Sequence, residues 1–286
     1  MASSPTLRRR RLSRLLREVR EERGFTAKWV AEEAKNRSGR TRGWSESKLN
    51  RLESGEWKRL RIDDVDTLLD IYGIDAPDDR AAYVTLAKEA NQKGWWASFG
   101  DALGSGQFVG LEAEASSIRT FESLTIPGLL QTEDYSRAVI RGNGLVADGA
   151  DLDRRVQARM FRKQIFTRSD PPTYWAVIDE AALLRITPEL SGQLEYLLEA
   201  GNRTNIGIQV LPINRGPHAA MTGQFVIMDF PPPDQPVVYL EVMSEEIYLE
   251  KPEEIRRYQQ IYDYVQAEAL STDESREHIR NLLRSL

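Results

Sequence analysis

The sequence contains no cysteine. That absence excludes a disulfide framework, thiol nucleophiles, zinc ribbons and iron–sulfur ligation. Histidine is nearly missing too: only His218 and His278 occur, which leaves little material for a histidine metal site or a Ser-His-Asp triad. No apolar run approaches the ~20 residues that a membrane span needs. The basic start of the chain is followed by no apolar signal-peptide core. Internal repeats and low-complexity tracts are also lacking. These absences lead to the expectation of a cytoplasmic, soluble protein with no cofactor, no metal and no membrane partner.

What is present is 286 residues, 41% of them apolar and 29% charged, enough for two packed domains. The net charge of −5 conceals a split. Residues 1–61 carry 18 Lys+Arg against 8 Asp+Glu, a balance of +10, while residues 62–286 carry 21 against 36, a balance of −15. An asymmetry of this size points to a basic module built for a polyanion, joined to an acidic body that is not.

Periodicity organises the basic part. Leu12, Leu15, Leu16 and Val19 form an i, i+3, i+4, i+7 stripe that ends at Gly24, a residue suited to the left-handed helix stop. Thr26 reads as the N-cap of a second helix over 27–34, with Trp29, Val30 and Ala34 on its buried face. A polar stretch follows, and Ser45 caps a third helix anchored by Leu49 and Leu52. A fourth, with Ile62, Val65, Leu68, Leu69 and Tyr72 inward, stops at Gly73. Residues 77–93 read as a connecting helix.

The acidic part reads as a helix over 111–119, helices over 132–141, 151–167 and 188–201, and strands over 174–178, 206–212, 224–230, 237–242 and 247–249. Pro252 opens a final pair of amphipathic helices. The expected fold class is an all-α N-terminal domain over 7–76, a connecting helix and linker over 77–107, and an α+β domain with a small mixed sheet over 108–286.

The N-terminal pattern resembles a known class. Leu15, Arg20, Arg23-Gly24-Phe25-Thr26, Val30-Ala31, Trp44-Ser45, Ser47-Lys48, Leu49, Arg51-Leu52-Glu53 and Gly55 are similar to the lambda-repressor-like helix-turn-helix of the xenobiotic-response-element type. The resemblance implies double-stranded DNA as partner, with the third helix in a major groove about 12 Å wide. On that reading its outer face presents Glu46, Ser47, Lys48, Asn50 and Arg51 to the bases, and Ser45 at its cap is a further DNA-binding residue. Thr26, Lys28 and Arg42 would hold phosphates. About eight residues, 35–42, stand where the family has a tight turn, four of them basic. The run Arg8 to Arg11 reads as a solvated tail, with a minor-groove arm as the alternative.

A second resemblance spans the remainder. Gly94-Trp95-Trp96, Leu111-Glu112-Ala113-Glu114-Ala115, Ile118 to Glu122 and Ile126 to Tyr135 are similar to the regulatory domain of an actinobacterial family of antitoxin-like transcriptional regulators. Val177 to Leu183 and Ile208 to Pro212 belong to the same pattern. It implies a transcription regulator with an effector or a small partner protein encoded nearby, and a homodimer is expected. The alternative is an antitoxin-like interaction protein that binds such a partner and uses DNA binding for autoregulation.

Other readings are weaker. Trp95, Trp96 and Phe99 suit an interdomain plug. Asp179, Glu180, Asp229 and Glu241 admit a carboxylate metal site of the nuclease or phosphatase kind, although no suitably placed lysine follows and acidic surfaces are common in such a domain. His218 has no partner visible in sequence and reads as a surface or lining residue. The expectation is that the protein is not an enzyme.

Overall fold

The computed structural model describes residues 4–38, 43–144, 148–242 and 245–286. The chain divides into two compact units, the first ending at Ala97 and the second beginning at Ser98. The first is all helical: α1 (Pro5–Glu22), α2 (Ala27–Ser38), α3 (Glu46–Glu53), α4 (Ile62–Tyr72) and α5 (Pro77–Ala90).

Local chemistry sets these boundaries. Ser4 caps α1 by accepting from the Thr6 N–H, and Pro5 stands where its missing N–H costs nothing. Gly24 (φ +71°) and Gly73 (φ +68°) take the left-handed turns after α1 and α4. The core unites Leu12 and Leu16 of α1, Val30 and Ala34 of α2, Leu49 and Leu52 of α3, and Val65, Leu68, Leu69 and Tyr72 of α4.

Helix α5 is more than a connector. It packs on α1 and α4 with Ala87 and Ala90 fully buried. The Asn91 amide also clamps Leu60, accepting from its N–H at 2.9 Å and donating to its carbonyl at 2.7 Å. The residues expected as a polar insertion after Ala34 continue α2 as far as Ser38. Lys35–Glu32 and Arg37–Glu33 pairs (2.6 and 2.7 Å) support that extra turn.

The second unit is α+β. Its elements are α6 (Gln107–Glu112), β1 (Ser117–Glu122), α7 (Glu133–Gly142), α8 (Gly149–Arg162), β2 (Thr173–Asp179), α9 (Glu180–Leu183), α10 (Gly192–Ala200), β3 (Ile206–Leu211), β4 (Phe225–Asp229), β5 (Val237–Glu241), β6 (Glu246–Leu249), α11 (Pro252–Glu268) and α12 (Thr272–Ser285). The six strands form one mixed sheet in the order β3-β2-β1-β4-β5-β6. β1, β2 and β3 are parallel, and β4, β5 and β6 are antiparallel to their neighbours.

The helix expected over 111–119 is thus a correction. α6 ends at Glu112, and Ile118 to Glu122 form β1 near the middle of the sheet, hydrogen-bonded to both β2 and β4. Helix-favouring Leu111-Glu112-Ala113-Glu114-Ala115 hides the switch, and pairing on both sides overrides local propensity. One sheet face, with Phe121, Val177, Phe225, Ile227 and Val238, packs on Ile255, Tyr262 and Val265 of α11. Strand alternation turns Ile118, Thr120 and Glu122 to the other face.

Candidate nucleic-acid interface

The interface is built on α3. Ser45 is extended (φ −156°), and its Oγ accepts from the Lys48 N–H at 3.0 Å, closing the first turn. Leu49 and Leu52 face the core, so helical periodicity turns Glu46, Ser47, Asn50 and Arg51 outward, and all four are exposed. With Ser45, Ser54 and Glu56 they line a shallow, open depression. The Ser47, Asn50 and Arg51 side chains have no intramolecular partner among the described residues. Glu46 lies in the first turn, where the positive end of the helix dipole favours a carboxylate.

Lys48 departs from the expected outer face. Its Nζ lies 2.8 Å from Asp64 Oδ2 and 4.2 Å from the centre of the Trp44 ring. It ties α3 to α4 instead of pointing away from the protein. Thr26 caps α2 as expected, accepting from the Trp29 N–H at 3.1 Å, and Lys28 is exposed with no partner among the described residues. Arg42 lies outside the described residues. Trp29 was expected in the core and is 46% exposed. The inward stripe of α2 is Val30, Ala31 and Ala34, and the indole stacks on Phe25 with ring centres 4.5 Å apart.

A buried ion pair holds this frame. Arg20 of α1 grips Glu53 at the end of α3 through two bonds, Nε–Oε1 2.7 Å and Nη2–Oε2 2.8 Å. Its Nη1 donates to the Phe25 carbonyl at 2.8 Å, at the entrance to α2. The hydrogen bond with Glu53 raises the Arg20 pKa above its ordinary value. One guanidinium therefore fixes α1, the approach to α2 and the end of α3 together.

Two cations escaped the sequence reading. Lys58 and Arg59 follow α3, both exposed and unpaired among the described residues. Two consecutive bases on the exit from that helix were the available signal. The Arg8–Arg11 run belongs to α1, where Arg8 pairs with Glu89 (3.0 Å) and Arg9 covers the Trp57 ring. That overturns both the tail and the minor-groove arm.

The carboxylates considered as a metal site are dispersed. Ser117 of β1 pairs with Thr173 at the start of β2 and with Asp229, so Asp229 lies at the opposite end of the sheet from Asp179. Asp179 accepts from the Ala181 N–H and stands 3.5 Å from His218 Nε2. Glu180 accepts from the Ile213 N–H and stands 2.9 Å from His278 Nε2. Asp229 pairs with Arg119 at 3.1 Å. Among the described residues no group of three or more His, Asp or Glu is placed to hold a metal. The His218 side chain is 7% exposed, on Asp179 and the edge of Phe121, so it is a packed residue. Trp95 and Trp96 meet edge to face, and Phe99 packs on Phe161.

Residues 105–281 match the model of a domain of unknown function, DUF5753. The chain belongs to the DUF5753 family. Residues 11–83 of this DUF5753 protein match a helix-turn-helix domain, which includes the whole α2–α3 frame and identifies a DNA-binding regulator. Comparison with curated proteins and with solved structures gives no match. Among the described residues no helix of the DUF5753 protein is long and apolar enough to cross a membrane.

Proposed function

We propose that this chain is a sequence-specific transcription regulator of the lambda-repressor-like, xenobiotic-response-element type, in which α3 enters the major groove of operator DNA. The observation that carries this reading is the face of α3. Two leucines anchor it behind, and Ser47, Asn50 and Arg51 stand in front with no partner among the described residues. Arg51 pairs bidentately with guanine, and Asn50 serves adenine or a phosphate. Thr26, Lys28, Lys58 and Arg59 hold the backbone. The family domain supports a homodimer, so that two copies of α3 meet half-sites roughly 34–36 Å apart. It also senses a small ligand or a partner protein, which shifts the DNA-competent population by binding its two states unequally. The chain acts in the cytoplasm and performs no catalysis.

The test is capture of genomic fragments by the purified full chain at about 50–200 mM salt, followed by footprinting. Protection of paired half-sites, with affinity falling steeply as salt rises, supports the reading. Absence of salt-sensitive binding to any duplex overturns it. A small protein co-purifying at stoichiometric amounts while duplex binding stays weak would favour the antitoxin-like interaction protein instead.

A further inference from the structure

Strand direction in the second unit gathers a set of chain connections at one edge of the sheet. β1, β2 and β3 are parallel, so their carboxyl ends lie together. β4 runs opposite to β1, with Phe225 beside Phe121, and β5 runs opposite to β4. The entry to β4 and the exit from β5 therefore lie at the same edge. Five consecutive strands, in the order β3-β2-β1-β4-β5, open onto it.

Each of the five contributes one exposed apolar side chain: Ile213 after β3, Leu184 after β2, Leu124 after β1, Met221 before β4 and Val242 after β5. They range from 48% exposed at Val242 to 67% at Met221. Together they are five of the nine large apolar side chains that the second unit exposes among the described residues. The connections are tied down. Glu180 accepts from the Ile213 N–H at 2.8 Å, the His218 ring centre lies 5.4 Å from that of Phe121, and the His218 carbonyl accepts from the Met221 N–H. With strands about 4.8 Å apart, the row extends over roughly 19 Å. Apolar side chains scattered singly need no explanation, but a row gathered on one rim marks a protein–protein contact.

The row also has a polarity. Arg215 and Arg185, in the connections after β3 and β2, are exposed and make no ion pair among the described residues. Glu241 and Glu245, at the exit from β5, are likewise exposed without an ion pair among the described residues. One end of the row is thus cationic, the middle apolar and the other end anionic. A twofold axis through β1, along the strands, exchanges β3 with β5 and β2 with β4. It sets Arg215 against the other copy's Glu241 and Glu245, Ile213 against Val242, Leu184 against Met221, and Leu124 against itself. Such a row is complementary to its own reversed copy, whereas a partner of one charge sign matches only one end.

We propose that this sheet edge is where a second copy of the chain docks, through the five apolar side chains and the two Arg-to-Glu ends. The surface gives the homodimer invoked above its contact and rests on that reading. The test is sedimentation velocity of the full chain over about 1–100 µM. The parent is expected to dimerise in that range. Arg215→Glu sets acid against acid at both ends of the contact, and the double variant Glu241→Arg, Glu245→Arg sets base against base. Each should weaken self-association at least about tenfold. Mixed in equal amounts, the two should dimerise again, because every end then joins opposite charges. Leu124→Asp, on the axis, should weaken the dimer by a similar factor without touching either charged end. A parent that stays monomeric throughout overturns the proposal, as does loss by both charge variants with no recovery on mixing. A parent dimer untouched by all the variants also overturns this surface, while leaving the homodimer itself standing. A dimer that breaks and recovers as expected, but protects single half-sites in footprinting, supports the surface and removes the paired half-site reading instead.

Discussion

The two units handle buried charge in opposite ways. In the helical unit the inner cations are neutralised by the chain itself: Arg20 closes on Glu53 and Lys48 on Asp64. Counted over residues 1–97, the balance is 21 Lys+Arg against 16 Asp+Glu, or +5, because α4 and α5 bring acids that offset the bases before them. Among the described residues, the cations on and beside α2 and α3 that have no partner, Lys28, Arg51, Lys58 and Arg59, are exposed. In the α+β unit, Arg162 and Glu112 pair fully, while Arg159 bonds to the neutral Gln131 and Glu122 accepts only a long contact from Thr120 among the described residues. The first pattern suits a surface that meets a large polyanion in water. The second leaves the Glu122 carboxyl without a cation, and burial pushes its pKa up to about 8.

The largest effect should come from breaking a completed pair. Arg20→Ala leaves Glu53 buried without its cation and opens the junction of α1, α2 and α3. A cost of about 3–5 kcal/mol is expected for the helical unit, read as a lower denaturant midpoint, with the α+β transition unmoved. Lys48→Ala, whose pair is partly exposed, should cost less than about 1 kcal/mol. Equal losses would show that depth does not separate these pairs. Next in size is Arg51→Ala, expected to lose about 1–3 kcal/mol of binding and to relax discrimination at one base position. Competition binding against single-base operator variants decides it. A uniform loss on every variant would move Arg51 from reading bases to holding phosphate.

Glu122 allows a smaller, pH-dependent test. Glu122 ionises near 4.5 when unfolded and near 8 in the fold. Between those values the unfolded chain has lost a proton that the folded chain keeps, so stability falls as pH rises through that window. Glu122→Gln removes this loss. At pH 9 the variant should exceed the parent by about 1 kcal/mol, a rise of roughly 2–4 °C in the α+β midpoint. At pH 4 the two should melt together. A gain of the same size at both pH values would mean that repacking, not charge, is responsible.

How much of this was legible in the sequence follows from which interactions are local. Ser45 capping α3, Leu49 and Leu52 behind it, Gly73 ending α4 and Thr26 capping α2 all depend on neighbours within one turn, and the sequence pattern shows them. β1 was not visible, because Ile118 to Glu122 become a strand only through partners more than fifty residues away at Thr173 to Ile178 and a hundred away at Phe225 to Asp229. Trp29 misled for a related reason. Helical spacing sets Trp29 beside Val30 on the inner face, whereas its indole is exposed and stacks on Phe25. Lys48 was misplaced because its partner Asp64 sits on another helix. Spacing finds faces; it does not find the counter-ions that decide which charges on a face are free.

That distinction gives the smallest and most discriminating prediction. A phosphate contact releases condensed counterions, so each free cation on the DNA contributes about 0.9 to the slope of log affinity against log salt. Lys28→Ala, and either Lys58→Ala or Arg59→Ala, should flatten that slope by about one such increment and weaken all sequences alike, as fluorescence anisotropy across a salt series would record. Lys48→Ala should leave the slope unchanged, since its ammonium is already held by Asp64 and the Trp44 ring. Were Lys48→Ala to flatten the slope as much as Lys28→Ala, DNA would be drawing the lysine away from Asp64. The number of free cations on the helical unit would then be set by the duplex and not by the fold.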